Sequence, residues 1–91
     1  MPLKRLSDAR RADGIVPVGA MCKWVKFEDS GQEIPAQVSI LGGGRARMTI
    51  PYVPGLKANV PVAYENLHFY IERVEELGLD QQMRLECTQV G

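Results

Sequence analysis

Histidine occurs once in this chain, at position 68, and cysteine twice, at Cys22 and Cys87, with neither a CxxC spacing nor histidines beside them. That scarcity excludes the clustered Cys and His ligands of a zinc-type metal site. It also removes the usual general base, because no neighbouring motif supplies His68 with an orienting partner, and the residue reads as a surface or rim position. The two cysteines sit in apolar runs and read as reduced, buried thiols of a cytoplasmic protein. No run approaches the roughly 20 apolar residues of a membrane span, so no membrane insertion is expected, and the start MPLKRLSDARR lacks the apolar stretch of a signal peptide. Net charge is missing too: eleven basic and eleven acidic side chains cancel, which argues against a surface built wholly for nucleic acid. Trp24, Tyr52, Tyr64, Phe69 and Tyr70 are too dispersed for a base-stacking platform and read as core filling. With no nucleophile, base, metal set or cofactor motif to point to catalysis, the chain reads as a binding domain rather than an enzyme.

What is present suits one small domain. The 91 residues are 45% hydrophobic and 24% charged, enough apolar material for a single core and too little length for two. A domain this size buries a modest share of its surface, so a ligand or a second subunit would add to its stability and a homodimer is open. Charge is unevenly placed. Lys4, Arg5, Arg10 and Arg11 fall within the first fourteen residues against Asp8 and Asp13, while the stretch from Glu65 to Asp80 is mainly acidic. Residues 1–14 therefore read as a flexible basic arm and residues 15–91 as the folded body. A basic arm on a neutral body suits a compact anionic ligand better than a long duplex.

The body reads as strands. Gly19 to Glu28 is expected as the first, with Cys22 and Trp24 on one side and Val25 and Phe27 on the other, before the Asp29-Ser30-Gly31 turn. Alternation is clearest from Ile34 to Ile50: Ile34, Ala36, Val38 and Ile40 point in and Gln37 and Ser39 out. After Gly42-Gly43-Gly44, Ala46, Met48 and Ile50 point in while Arg45, Arg47 and Thr49 point out. That is a hairpin with a polar, cationic outer face. The triple glycine lacks the Lys-Ser/Thr of a phosphate-binding loop and reads as a turn needing positive φ. Two prolines and Gly55 break the pattern over 51–55, ahead of a strand at Asn59 to Tyr64. Residues 66–77 carry two signals. Leu67, Tyr70, Ile71, Val74 and Leu77 make a helical stripe, with Asn66 at an N-cap position and Gly78 past the end, so a single helix is possible there. The same residues read as a strand, with Leu67, Phe69 and Ile71 on one face and a bulge near Glu72-Arg73. Met83 to Val90 alternates as a final strand. Short strands joined by Gly and Pro turns favour a closed all-β barrel, which leaves no edges.

Gln37-Val38-Ser39-Ile40-Leu41-Gly42-Gly43, with Arg10-Arg11 upstream, resembles the PilZ family of bacterial cyclic di-GMP receptors. Members of that family carry RxxxR on an N-terminal arm and [D/N]xSxxG on the barrel that follows. Ser39 and Gly42 match that spacing. Gln37 replaces the acidic or Asn residue, and no two arginines stand at RxxxR spacing: Arg5 and Arg10 are five apart, Arg10 and Arg11 adjacent. Phe69-Tyr-Ile-Glu-Arg-Val-Glu-Glu76 and Met83-Arg-Leu-Glu-Cys-Thr-Gln-Val90 look like the last long strands of the family's barrel. The resemblance spans Arg10 to Val90 and turns residues 67–76 toward strand.

What the resemblance implies is a small six-stranded antiparallel barrel serving bacterial signalling. Its ligand would be cyclic di-GMP, bound by Arg10, Arg11, Gln37, Ser39, Gly42, Gly43 and Arg45. Guanidinium groups grip phosphate bidentately and stack on guanine, while a serine hydroxyl and glycine backbone approach phosphate or base edges closely. A protein partner would read the rearranged surface. Two alternatives stay open: a degenerate PilZ-like adaptor that binds a protein without the ligand, and a small barrel that binds RNA or single-stranded DNA through Arg45, Arg47 and the arm.

Overall fold

A computed structural model of the chain describes residues 14–90. The expected arm, Arg10 and Arg11 included, lies outside the described residues except for Gly14.

Burial at period two runs through the strands and decides how they meet. In β1 (Lys23–Phe27) Val25 and Phe27 are buried; in β2 (Glu33–Ile40), Ile34 and Ala36; in β3 (Arg45–Pro51), Ala46, Met48 and Ile50. Two such strands can share a core only in a register that aligns their apolar faces. β2 and β3 do so, with Val38 opposite Met48 and Ile40 opposite Ala46. Their turn places Gly43 and Gly44 at φ of 72° and 75°, where a side chain would clash with its own backbone. β4 (Pro61–Tyr64), β5 (Leu67–Leu77) and β6 (Gln82–Gln89) complete the set.

All neighbouring strands are antiparallel, and they close into a barrel in the order β1-β2-β3-β6-β5-β4. The fold is thus the closed all-β barrel expected from the pattern, with the six antiparallel strands that the resemblance implies. After Pro51 the chain does not turn back on β3. It crosses the end of the barrel through the Pro54-Gly55 loop to β4, leaving β3 free to pair with β6. Inside, Phe69, Met48, Ile50, Ile71 and Leu85 fill the space left by the small Ala36 and Ala46. Each fully buried large side chain contributes about 1.5–3 kcal/mol relative to exposure.

Residues 67–77 form a strand, not a helix, with Asn66 in the turn before it, and the bulge explains the mixed signal. Ile71 stands opposite Cys87 and Arg73 opposite Glu86, so Glu72 is extra and the inward phase moves from Ile71 to Val74. Leu77 then points outward, level with Gln82, and is buried from outside by the segment before β1. Two inward phases, with the outward Tyr70 and the covered Leu77, together mimic a helical stripe.

Other expectations are corrected. The first strand is shorter than Gly19 to Glu28, because Val18–Ala20 form a 3₁₀ turn closed by the Ala20 and Met21 amides donating to the Pro17 and Val18 carbonyls. Ile40 is 57% exposed, since β2 runs out at the rim past the last layer of the core. Thr49 points outward yet is buried, lying between the longer Gln37 and Arg84 on the flanking strands. Trp24 is 61% exposed on the outer side of β1, not in the core. Of the two thiols Cys87 is buried, but Cys22 is exposed, because it precedes β1 on the same outer side as Trp24. Among the described residues no helix is long and apolar enough to cross a membrane.

Candidate ligand-binding face

The outward residues of four adjacent strands line up into rows. One row reads Gln37, Thr49, Arg84, Glu75 and the next Ser39, Arg47, Glu86, Arg73, each pair being direct cross-strand partners. Strands in a sheet stand about 4.8 Å apart, so Gln37 and Arg84 are separated by about 10 Å at the backbone. Arg45 precedes Arg47 on the same side of β3 and sits at the tip, where its carbonyl accepts the Leu41 amide at 2.8 Å. The hairpin therefore carries Gln37, Ser39 and Arg45 on one outward side, as the alternation predicts, with Gly42 and Gly43 in the turn at its tip.

Charge on this surface differs from the expected cationic patch. Arg47 Nε donates to Glu86 Oε2 at 3.0 Å, and Arg84 Nη2 to Glu75 Oε1 at 2.9 Å. Each arginine is thereby neutralised by the carboxylate facing it on the next strand. Arg45 and Arg73 have no ion-pair partner among the described residues, and neither does the Ser39 hydroxyl have a hydrogen-bond partner there. Arg84 Nε is buried without an acceptor. Thr49 is on the face by the same alternation, but Arg84, Glu86 and Glu75 join it only through the long-range pairing of β6 with β3 and β5.

The segment before β1 lies across the same side of the barrel as a strap. The Val16 amide donates to Gln82 Oε1 at 3.0 Å, and Gln82 Nε2 donates back to the Val16 carbonyl at 2.7 Å. Met21 is buried at the strap's other end. Gly14, at φ 99°, lies so close to Arg84 that a Cβ there would stand 3.0 Å from Nη1. Gly14, the first described residue, thus lies over the outer face between β5 and β6. Between strap and sheet, Val18, Met21, Pro35, Pro51, Gln81 and Gln82 line a groove of about 130 Å³.

His68 is exposed, as expected, and its Nδ1 lies 2.9 Å from Glu28 Oε2, bridging β5 to the end of β1. Among the described residues no group of three or more His, Cys, Asp or Glu side chains is placed to hold a metal ion. Burial, with the Glu86 and Glu72 carboxylates adding to it, pushes the Cys87 thiol up from 9.0 to about 12. That thiol faces the core against Met48, away from the rows of charge. No family model, no curated protein and no solved structure matches this chain.

Proposed function

We propose that this chain is a PilZ-like signalling domain that binds cyclic di-GMP across the outer face of β2 and β3, with Arg10 and Arg11 closing over the ligand. One observation carries the reading. Half-buried Gln37 and exposed Ser39 share the outward side of β2, which leads into the Gly42-Gly43 turn, and Gly14 lies over neighbouring strands on that same side. Arg11 and Arg10 stand three and four residues upstream of Gly14. At about 3.3–3.6 Å per residue, three to four residues span roughly 10–14 Å, to which an arginine side chain adds its own length.

The division of labour follows from charge. Arg47 and Arg84 are occupied by Glu86 and Glu75, so an anion gains little from them. The phosphates fall to Arg10 and Arg11, whose planar forks match phosphate oxygens, and Arg45 at the tip adds a third cation. Ser39 Oγ and the turn backbone supply hydrogen bonds at short range. Binding would fix the arm over the face and present a new surface to a protein partner.

Titration calorimetry with cyclic di-GMP tests this. Each charge-assisted hydrogen bond contributes about 1.5–3 kcal/mol, so Arg10→Ala or Arg11→Ala should weaken binding by about tenfold or more while leaving stability unchanged. Equal binding by wild type and the double alanine variant would move the site elsewhere. Absence of binding at millimolar ligand would remove it.

A second reading, the ligand-free protein adaptor, draws support from the paired arginines and from apolar side chains left outside. Val18 is 82% exposed, and Trp24 and Pro35 are outward cross-strand partners.

A further inference from the structure

Trp24 is the one tryptophan of the chain, and it stands 61% exposed on the outer side of β1. Large aromatic side chains are mostly taken up by a core, and those left outside dominate the energetics of interfaces. The surroundings of this one are largely polar. With Lys26, Glu33, Ala63 and Glu65 it lines a hollow of about 190 Å³ on the seam between β1 and β4. Lys26 and Glu33 are cross-strand partners and offset each other's charge. Glu65 is left over, since no cation lies within ion-pair distance of it among the described residues. The hollow thus has an indole wall and one unmatched negative charge.

The backbone is open at the same place. The Phe27 N–H donates to the Gln32 carbonyl on the β2 side and the Glu28 N–H to the Pro61 carbonyl on the β4 side, so alternation turns the N–H and C=O of Lys26 and Trp24 toward β4. The β1–β4 register stops at Lys26–Ala63. Carried on by two residues it would set Trp24 opposite Glu65, but Glu65 leaves the strand at φ 56° to turn into β5, and no backbone hydrogen bond joins the two. Trp24 therefore presents a main-chain donor and acceptor beside the hollow that its side chain lines.

We propose that this hollow docks an arginine-bearing extended segment of a partner protein: the guanidinium stacks on Trp24 and meets the Glu65 carboxylate, while the segment's main chain pairs with the open edge of Trp24. Charge selects a cation, because the unmatched group is a carboxylate. The indole selects arginine over lysine, because a planar, weakly hydrated guanidinium lies on an aromatic face more readily than a strongly hydrated ammonium. Main-chain pairing at a strand edge adds affinity that any sequence can supply, and the hollow adds the choice of side chain. Glu33 begins β2 and Ser39 lies near its other end, so this docking does not depend on the cyclic di-GMP reading.

The probe is the peptide acetyl-Thr-Val-Arg-Val-Thr-amide, whose β-branched flanks favour an extended chain, beside counterparts with lysine or with citrulline, which keeps the shape of arginine without its charge. In an NMR titration at millimolar peptide, the arginine peptide should shift the Trp24 indole and amide, Ala63 and Glu65 signals. It should bind about tenfold more tightly than the citrulline peptide, the loss of one charge-assisted contact, with the lysine peptide between. Trp24→Ala and Glu65→Gln should each weaken binding about tenfold while the core signals stay in place. Lys26→Gln should strengthen it about threefold by freeing Glu33, an effect that purely apolar docking would not show. Equal binding of the three peptides, shifts confined to other faces, or no shift at millimolar peptide would overturn the proposal. A wild-type dimer in sedimentation that Trp24→Ala dissolves would give the hollow to a second copy and overturn it as well. So would tighter binding of a single-stranded oligonucleotide than of the arginine peptide at the same Trp24 signals.

Discussion

β3 and β6 pair over seven successive residues, from Arg45 opposite Thr88 to Pro51 opposite Gln82, whereas β1 and β4 pair through Lys26–Ala63 and Phe27–Val62. Both are seams between strands distant in sequence, yet they are made differently. The long seam carries a continuous ladder, buried Met48, Ile50, Leu85 and Cys87 beneath it, and the Arg47–Glu86 pair above. The short one rests on Phe27 and Val62 packing inward, one further bond from the Glu28 amide to the Pro61 carbonyl, and the exposed His68–Glu28 bridge across β4. Closure of a barrel therefore does not imply uniform strength. Elements with few ladder bonds open at lower free energy than those in the core of the sheet, and the proposed ligand face is built on the strong side.

Core truncation should separate the seams most. Leu85→Ala, at a fully buried site on β6, should cost about 2–5 kcal/mol in urea denaturation. Val62→Ala removes less volume next to the short seam and should cost less; the reverse order would break the comparison. A second effect comes from Cys87. Its thiol is held up at about 12 in the folded protein, whereas the unfolded chain ionises near 9.0. Stability is therefore complete below about pH 9 and falls as pH rises toward 12, where the unfolded state has lost a proton that the native state keeps. The slope should be on the order of 1 kcal/mol per pH unit, and Cys87→Ala should flatten it. At neutral pH a thiol reagent should label the exposed Cys22 at once and Cys87 only when the long seam opens. Smallest of all are the surface pairs. His68→Ala and Arg47→Ala should each change stability by less than about 1 kcal/mol, as exposed ion pairs do. Amide exchange sharpens this last test, because His68→Ala should accelerate Lys26 and Ala63 on the short seam and leave Met48 and Leu85 unchanged.

Much of this was readable in the residues wherever the signal was local. The β2–β3 hairpin, its register and its glycine turn follow from opposed alternation on either side of Gly42-Gly43-Gly44, and so does the common face of Gln37, Ser39 and Arg45. The bulge near Glu72-Arg73 was also visible as a slip in phase. What escaped was everything set by non-adjacent strands. Thr49 is buried because Arg84 lies beside it, and Arg47 is neutralised because Glu86 does; neither fact is encoded near Thr49 or Arg47. Leu77 read as a helical residue because its cover comes from Gly14 at the start of the strap, about 60 positions away in sequence. The amide of Gln82, an ordinary surface residue by type, gave no sign of its partner. Arg10 and Arg11 lie outside the described residues, so their role remains the proposal stated above.

The strap also bears on the order in which the protein is made. Val16 leaves the ribosome early, but its partner Gln82 follows 66 residues later, inside the last strand. Until β6 has emerged and paired with both β3 and β5, the surface on which the strap rests does not exist. Contacts this far apart in sequence are slow to form, which places the barrel among the milliseconds-to-seconds folders typical of all-β topologies. The first described segment to be synthesised is thus the last to be fixed, and the strap at Val16 gains its place only after the whole barrel has closed.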